Sequence, residues 1–294
     1  MHAVHLATKW WWILVALTMS GCAWMDAKQR ELIYRPTPGV LAEWEAITPT
    51  DQPLWLEGGR PGLRLRAMWV PQADPQAPAV LYLHGTFRNL FQNRPKIAAI
   101  HAAGFAVLAV DYRGWGESTP ELPSETTIVQ DAEIAWGEFV QRVPHGGSRV
   151  IYGHSMGSAA AVQLAWQHRA GREYGALVLE SAFTSMPDIA RDRGGIAALL
   201  GALSTQHFNS LARIADIAGP KWFITGTADR TVPTAHSQRL YDAASEPRRL
   251  VVFEGGSHSR LQEQDAPRYQ ATWHEVAAAL AAAPLQAGPP ASAP

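Results

Sequence analysis

The stretch Val150–Ala165, "VIYGHSMGSAAAVQLA", begins as an apolar run, breaks at two glycines that bracket a serine, and resumes as an alanine-rich segment of helical character. A plain strand-to-helix connection can use Asn or Asp at such a point. Here Gly153-His154-Ser155-Met156-Gly157 spells G-x-S-x-G. In so tight a turn, bulky residues at 153 and 157 collide with the neighbouring strand and helix. The turn lifts the Ser155 hydroxyl above the sheet at a helix N-terminus. There the helix dipole and free N–H groups favour developing negative charge. The same serine can also serve only to make the turn, and the rest of the chain decides between the two.

Around this stretch the pattern is regular. "AVLYLHG" (79–85), "FAVLAVDYRG" (105–114), "RVIYG" (149–153), "ALVLES" (176–181), "KWFITG" (221–226) and "RLVVFEG" (249–255) are nearly continuous apolar runs, as in strands buried on both faces of a parallel sheet. "LRLRAMWV" (63–70) instead alternates apolar residues with Arg64 and Arg66, the period of a half-exposed strand. Helical segments lie between them: "RPKIAAIHAAG", a segment over 124–143 with a Ser124-to-Thr127 capping pattern, the segment after Ser155, "TAHSQRLYDAAS" and "APRYQATWHEVAAALAAA". This repeated alternation predicts an α/β fold, a doubly wound parallel sheet with helices on both faces. It lapses once, from Met186 to Asp216, where the length allows a cap of two short helices over the C-terminal ends of the strands. "ELIYRPTPG" (31–39) is expected to be extended, broken by Pro36 and Pro38.

The chain has 294 residues, of which 47% are hydrophobic and 17% charged, so a substantial core is available and a disordered chain is excluded. A formal net charge of −1 leaves no electrostatic footprint for nucleic acid. The eleven histidines show no H-x-x-x-H or H-E-x-x-H grouping beside acids, so no metal is implied, and no dinucleotide or phosphate-loop fingerprint is present. Lys9 precedes the uncharged run Trp10–Cys22, "WWWILVALTMSGC", which suits a signal-peptide core and is shorter than a membrane span. Its end, Thr18-Met19-Ser20-Gly21-Cys22, resembles a bacterial lipobox, with Met19 where Leu is commoner. Cleavage after residue 21 and lipidation of Cys22, the only cysteine, follow from that resemblance, and Ala23 after it favours an outer-membrane or periplasmic location. An ordinary secretory signal or a membrane anchor with a free cysteine is the other reading. Residues 284–294, rich in Pro and Ala, are expected to be a disordered tail.

A serine hydroxyl is a poor nucleophile until a base takes its proton, and the base must be oriented by an acid. "TADRTVP" follows one late strand and supplies Asp229; "GSHSR" follows the last and supplies His258. The order Ser155, Asp229, His258 is the one this architecture uses. Glu180, at the end of another strand, is the competing acid. His84 is read as a brace for its loop, Asp111 as a partner for backbone N–H groups in the "DYRGWG" turn, and His154 as a packing residue pointing away from Ser155. Most tryptophans read as core. Phe87 and Trp115, in loops at the active edge, are expected to line an acyl pocket.

With these residues in hand, the chain resembles the α/β-hydrolase superfamily from about Leu32 to Ala283. His84-Gly85-Thr86 is similar to its oxyanion loop, "GHSMG" to its nucleophile elbow and "GTADRTVP" to its acid loop. "LESAFTSMPDIA" and "HFNSLARIADI" resemble a short-capped branch that includes protein depalmitoylases and bacterial esterases. The resemblance implies a mostly parallel sheet of about eight strands with a short cap at about 186–216, in a hydrolase domain over 22–283. It also implies oxyanion donors at the backbone N–H groups of Thr86 and Met156, and no cofactor. The expected activity is hydrolysis of carboxylic esters or thioesters through an acyl-enzyme, on a small-molecule or lipid acyl ester. A lysophospholipase, a peptidase, or a non-catalytic lipoprotein using the fold as an interaction module are the alternatives.

Overall fold

The apolar runs assemble into one eight-stranded sheet of order β1-β2-β4-β3-β5-β6-β7-β8 in the computed structural model, which describes residues 23–39, 44–171 and 173–282. The signal segment, Cys22 and the 284–294 tail lie outside the described residues. β3 (Ala79–Leu83), β4 (Ala106–Val110), β5 (Arg149–His154), β6 (Ala176–Glu180), β7 (Lys221–Gly226) and β8 (Arg248–Phe253) pair in parallel. β1 (Gln52–Glu57) and β2 (Arg64–Val70) add an antiparallel edge. Every residue of β3 to β7 is buried, as their continuous hydrophobicity requires. Successive side chains feed two separate cores. Ala79, Leu81 and Leu83 face one, and Val80 and Tyr82 face the other.

On the first face pack α3 (Glu125–Arg142), α4 (Met156–Gln167) and α8 (Thr234–Ala243); on the second pack α2 (Leu90–Ala102), α9 (Leu261–Gln264) and α10 (Ala266–Ala282). α3 starts where its capping pattern predicts, with Ser124 Oγ accepting from the Thr127 N–H at 3.1 Å. α2 starts earlier than "RPKIAAIHAAG" implies. Asn89 and Gln92 form a capping box, and Pro95 is carried inside the helix.

Three elements correct the sequence reading. Residues 23–34 form a helix, α1, so "ELIY" is helical and not extended. Good helix formers and an Asp26–Arg30 ion pair at i,i+4 carry it until Pro36 stops it. The Met186–Asp216 interval holds three helices and not two: α5 (Met186–Arg193), α6 (Gly195–Ala202) and the single turn α7 (Leu211–Ile214). β1 was not visible in the sequence because only Leu56 is buried in it; Arg64 and Arg66 lie over its Trp55 ring at 4.7 and 5.3 Å. Among the described residues no helix is long and apolar enough to cross a membrane.

Below the C-terminal end of β6, Glu180 is fully buried. Its carboxylate accepts from Lys96 Nζ, from Tyr152 Oη at 2.8 Å and from Tyr269 Oη at 3.0 Å. Burial pushes the Lys96 ammonium below its ordinary value, and the Glu180 charge opposes that shift. The pair therefore stands or falls together. Lys96→Met should cost about 3–5 kcal/mol in denaturant unfolding, because it strands a buried carboxylate. Lys96→Met combined with Glu180→Leu should recover most of that loss; equal destabilisation of single and double variants would contradict this account.

Candidate active site

The elbow at the end of β5 is held by steric necessity. A Cβ on Gly153 would lie 2.2 Å from the Gly157 carbonyl oxygen, and one on Gly157 would lie 2.0 Å from the Leu83 oxygen. Ser155 itself sits at φ 54°, ψ −121°, a conformation a non-glycine residue holds only where its surroundings dictate it. Its N–H donates to the Glu180 carbonyl at 2.9 Å, and Ser158 Oγ donates to its carbonyl at 2.6 Å.

His258 and Asp229 arrive from the loops after β8 and β7. His258 Nε2 is 3.0 Å from Ser155 Oγ, and His258 Nδ1 is 2.7 Å from Asp229 Oδ2. The carboxylate fixes the tautomer: Nδ1 donates to Asp229, which leaves Nε2 bare to accept from the serine hydroxyl. Asp229 Oδ1 accepts from the Thr231 and Val232 N–H groups at 2.8 and 2.9 Å. Burial pushes the Asp229 carboxyl up. The hydrogen bond and charge of His258, with the two backbone N–H groups, outweigh burial and hold it below the ordinary carboxylate range. Such a chain of groups can remove a proton from the serine and stabilise the imidazolium that results.

His154 does more than pack: its ring lies against that of His258, with centroids 4.9 Å apart. Its Nε2 lies 2.8 Å from the His258 carbonyl oxygen, which also accepts from Ser181 Oγ at 3.2 Å. Burial, reinforced by the Lys96 charge, holds His154 well below the usual histidine range, so it is neutral and donates from Nε2. The loop carrying His258 is thus pinned by the residue next to the elbow serine. Ser181 was not singled out in the sequence; its φ of 50° is the only local mark it carries.

Two expectations are corrected here. Trp115 does not line a pocket. It is fully buried beneath the site, edge-on to His84 at 5.6 Å and to Tyr112 at 5.9 Å. Asp111 does not serve the N–H groups of its own turn; its Oδ1 accepts from the Leu90 N–H at 2.6 Å, at the start of α2. Glu180, the competing acid, is occupied by Lys96 and two tyrosines. His84 braces its loop, with Nδ1 2.6 Å from the Gly85 oxygen and Nε2 3.3 Å from Asp111 Oδ1.

Ser155 opens into a cavity of about 250 Å³. Thr86, Phe87 and Met156 line it beside the serine, and Phe87 is half exposed at φ 71°. Met156 is the first residue of α4, where helix geometry leaves the N–H without an intrahelical acceptor. Met186, Ile189, Ala197 and Leu200 of the cap form one wall, and α1 forms another through Leu32 and Ile33. The cap is fastened at its base: His236 Nε2 lies 2.8 Å from Asp192 Oδ2, and Thr184 Oγ1 donates to Asp188 Oδ2 at 2.6 Å. Among the described residues the only charged side chains lining the cavity are Arg35 and Arg193, and no three His, Cys, Asp or Glu residues converge on a metal-sized site.

The family model described as serine aminopeptidase, S33, matches residues 74–211. An uncharacterized protein of Mycobacterium tuberculosis strain H37Rv is 34% identical over 249 residues, covering 84% of this chain and 86% of its own. The uncharacterized protein YfhR of Escherichia coli K12 is 30% identical over 203 residues, covering 67% and 70%. Among solved structures, the Pyrococcus furiosus esterase Pf2001 superposes with a TM-score of 0.65 at 20% identity, covering 82% of this chain and 97% of that one. With the eight-stranded sheet and its elbow, these relationships make the chain a member of the α/β-hydrolase superfamily, and a hydrolase of that type.

Proposed function

We propose that the protein is a serine hydrolase that cleaves carboxylic esters or thioesters through an acyl-enzyme. The observation that carries this reading is the chain Asp229–His258–Ser155, at 2.7 and 3.0 Å, opening on an apolar cavity. Ser155 Oγ attacks the acyl carbon while His258 Nε2 takes its proton. The N–H groups of Met156 and Thr86 hold the oxyanion. His258 returns the proton to the departing alcohol or thiol, and a water, deprotonated by the same nitrogen, releases the acid and restores Ser155. One lost oxyanion donor costs about 2.7–4 kcal/mol of transition-state stabilisation in enzymes of this type.

The cavity favours an acyl group over a peptide N-terminus. An aminopeptidase must hold an α-ammonium, which calls for a carboxylate, whereas among the described residues the charged side chains lining this cavity are Arg35 and Arg193. An acyl chain against Met186, Ile189 and Leu200 needs no charged partner. Export and lipid anchoring through Cys22 belong to the same proposal, supported by the Trp10–Cys22 run and its lipobox-like end.

Asp229→Asn should leave the fold intact and lower kcat on a p-nitrophenyl ester by around 10⁴, the loss expected when the base is held in the wrong tautomer. Glu180→Gln should cost far less kcat once protein folded at the assay temperature is counted. A crippled Glu180→Gln beside a near-normal Asp229→Asn would overturn the assignment of the acid. For the anchor, mass spectrometry of the natively produced protein should show loss of residues 1–21 and added lipid mass on Cys22; an intact Met1 or an unmodified Cys22 would contradict it.

A further inference from the structure

Six of the eight large apolar side chains that the described residues leave exposed belong to two elements. Trp24, Met25 and Leu32 project from α1, and Ile196, Leu199 and Leu203 from α6 and its C-terminal cap. Two elements distant in sequence are joined to make this face: Asp26 Oδ1 accepts from Thr205 Oγ1 at 2.8 Å, and Tyr34 Oη donates to Gln206 Oε1 at 2.6 Å.

Helix α6 is unusual in composition. From Gly195 to Leu203, "GIAALLGAL", it carries no polar side chain. One face, with Ala197 and Leu200, lines the cavity; the other, with Ile196, Leu199 and Leu203 at i, i+3 and i+7, is 62–77% exposed. A helix that is apolar all round is at home inside a core or against lipid, and a contiguous exposed apolar surface marks a docking site. A core helix this is not.

We propose that the α1–α6 face docks on a phospholipid surface, so that the cavity reaching Ser155 opens towards the acyl chains. This rests on the esterase reading for what enters the cavity, but the docking itself does not. Three observations select lipid over other occupants. Cys22, the proposed site of lipid attachment, immediately precedes Ala23, the first residue of α1, so the anchor would join the chain at the helix that carries half of this face. The cavity mouth lies within the face, since Leu32 belongs to both. Arg35 and Arg193 stand at that mouth, where guanidinium groups meet lipid phosphates. An amphipathic surface of this kind settles at the headgroup boundary, its apolar side chains inserted and its cations level with the phosphates. Insertion brings a lipid ester to the serine without carrying its acyl chain through water.

The test uses the full chain with a thiol-reactive environment-sensitive dye (nitrobenzoxadiazole) at Leu199→Cys, and at Ala73→Cys on the opposite end of the sheet; label on Cys22 is measured with the unsubstituted protein and subtracted. On vesicles of phosphatidylethanolamine and phosphatidylglycerol, the dye at 199 should shift to the blue and be quenched by lipids carrying a nitroxide in the acyl chain. The dye at 73 should be unaffected. In parallel, Ile196→Ser with Leu199→Ser and Leu203→Ser should lower hydrolysis of a vesicle-borne long-chain ester by about tenfold while leaving a soluble short-chain ester unchanged. No quenching at 199, or equal loss on both esters, overturns the proposal. Shielding of the dye without vesicles also overturns it: dependence on protein concentration would mean a second copy covers the face, and independence would mean the chain's own N-terminal segment does. If the parent hydrolyses neither ester, the esterase reading fails while the quenching still decides the docking.

Discussion

Everything at the site depends on a close approach that only glycine permits. Gly157 brings the start of α4 against the carbonyl oxygens of Leu83 and His84, and Gly153 brings the end of β5 against the Gly157 carbonyl. The loop after β3 is drawn in by the same contact: a Cβ on Gly85 would lie 3.0 Å from Ser155 Cβ. The serine, the first N–H of α4 and the Gly85-Thr86 loop are therefore set by backbone packing, before any side chain is chosen. The strain of Ser155 at φ 54° is carried by that packing and by its N–H bond to Glu180 in the next strand.

The remaining groups are fitted to this fixed point from two sides. Above the sheet, Asp229 holds His258 Nδ1, and Thr231 and Val232 hold Asp229. Beneath it, Glu180 turns its carboxylate away from the serine into a pocket with Lys96, Tyr152 and Tyr269, while its carbonyl faces the elbow. One residue thus braces the elbow through its backbone and holds the buried cation through its side chain. His154 links the layers: it follows Gly153 in the chain, sits in the field of Lys96, and donates to the His258 carbonyl.

What the sequence made legible are the features fixed by local constraint. Short continuous apolar runs bounded by turn residues suit strands buried on both faces, so β3 to β7 could be read directly, whereas β8, expected to be buried on both faces, is the partly exposed edge strand because no further strand covers it. The elbow and the loops holding Asp229 and His258 are marked by residues that few other roles require in that order. What was hidden depends on contacts between distant segments. β1 buries one side chain, α1 gains its place by meeting the cap through Asp26 and Tyr34, and Trp115 looks like a loop residue until His84 and Tyr112 enclose it. Asp111 is the same case, since its partner Leu90 lies 21 residues away. No periodicity announces such pairs.

The proposed role of Ser155 as the nucleophile is open to covalent trapping. A fluorophosphonate probe should attach to the peptide containing Ser155, as located by mass spectrometry. Ser155→Ala should abolish that labelling while keeping the unfolding transition of the parent. Labelling of a different serine, or labelling that survives in Ser155→Ala, would contradict it.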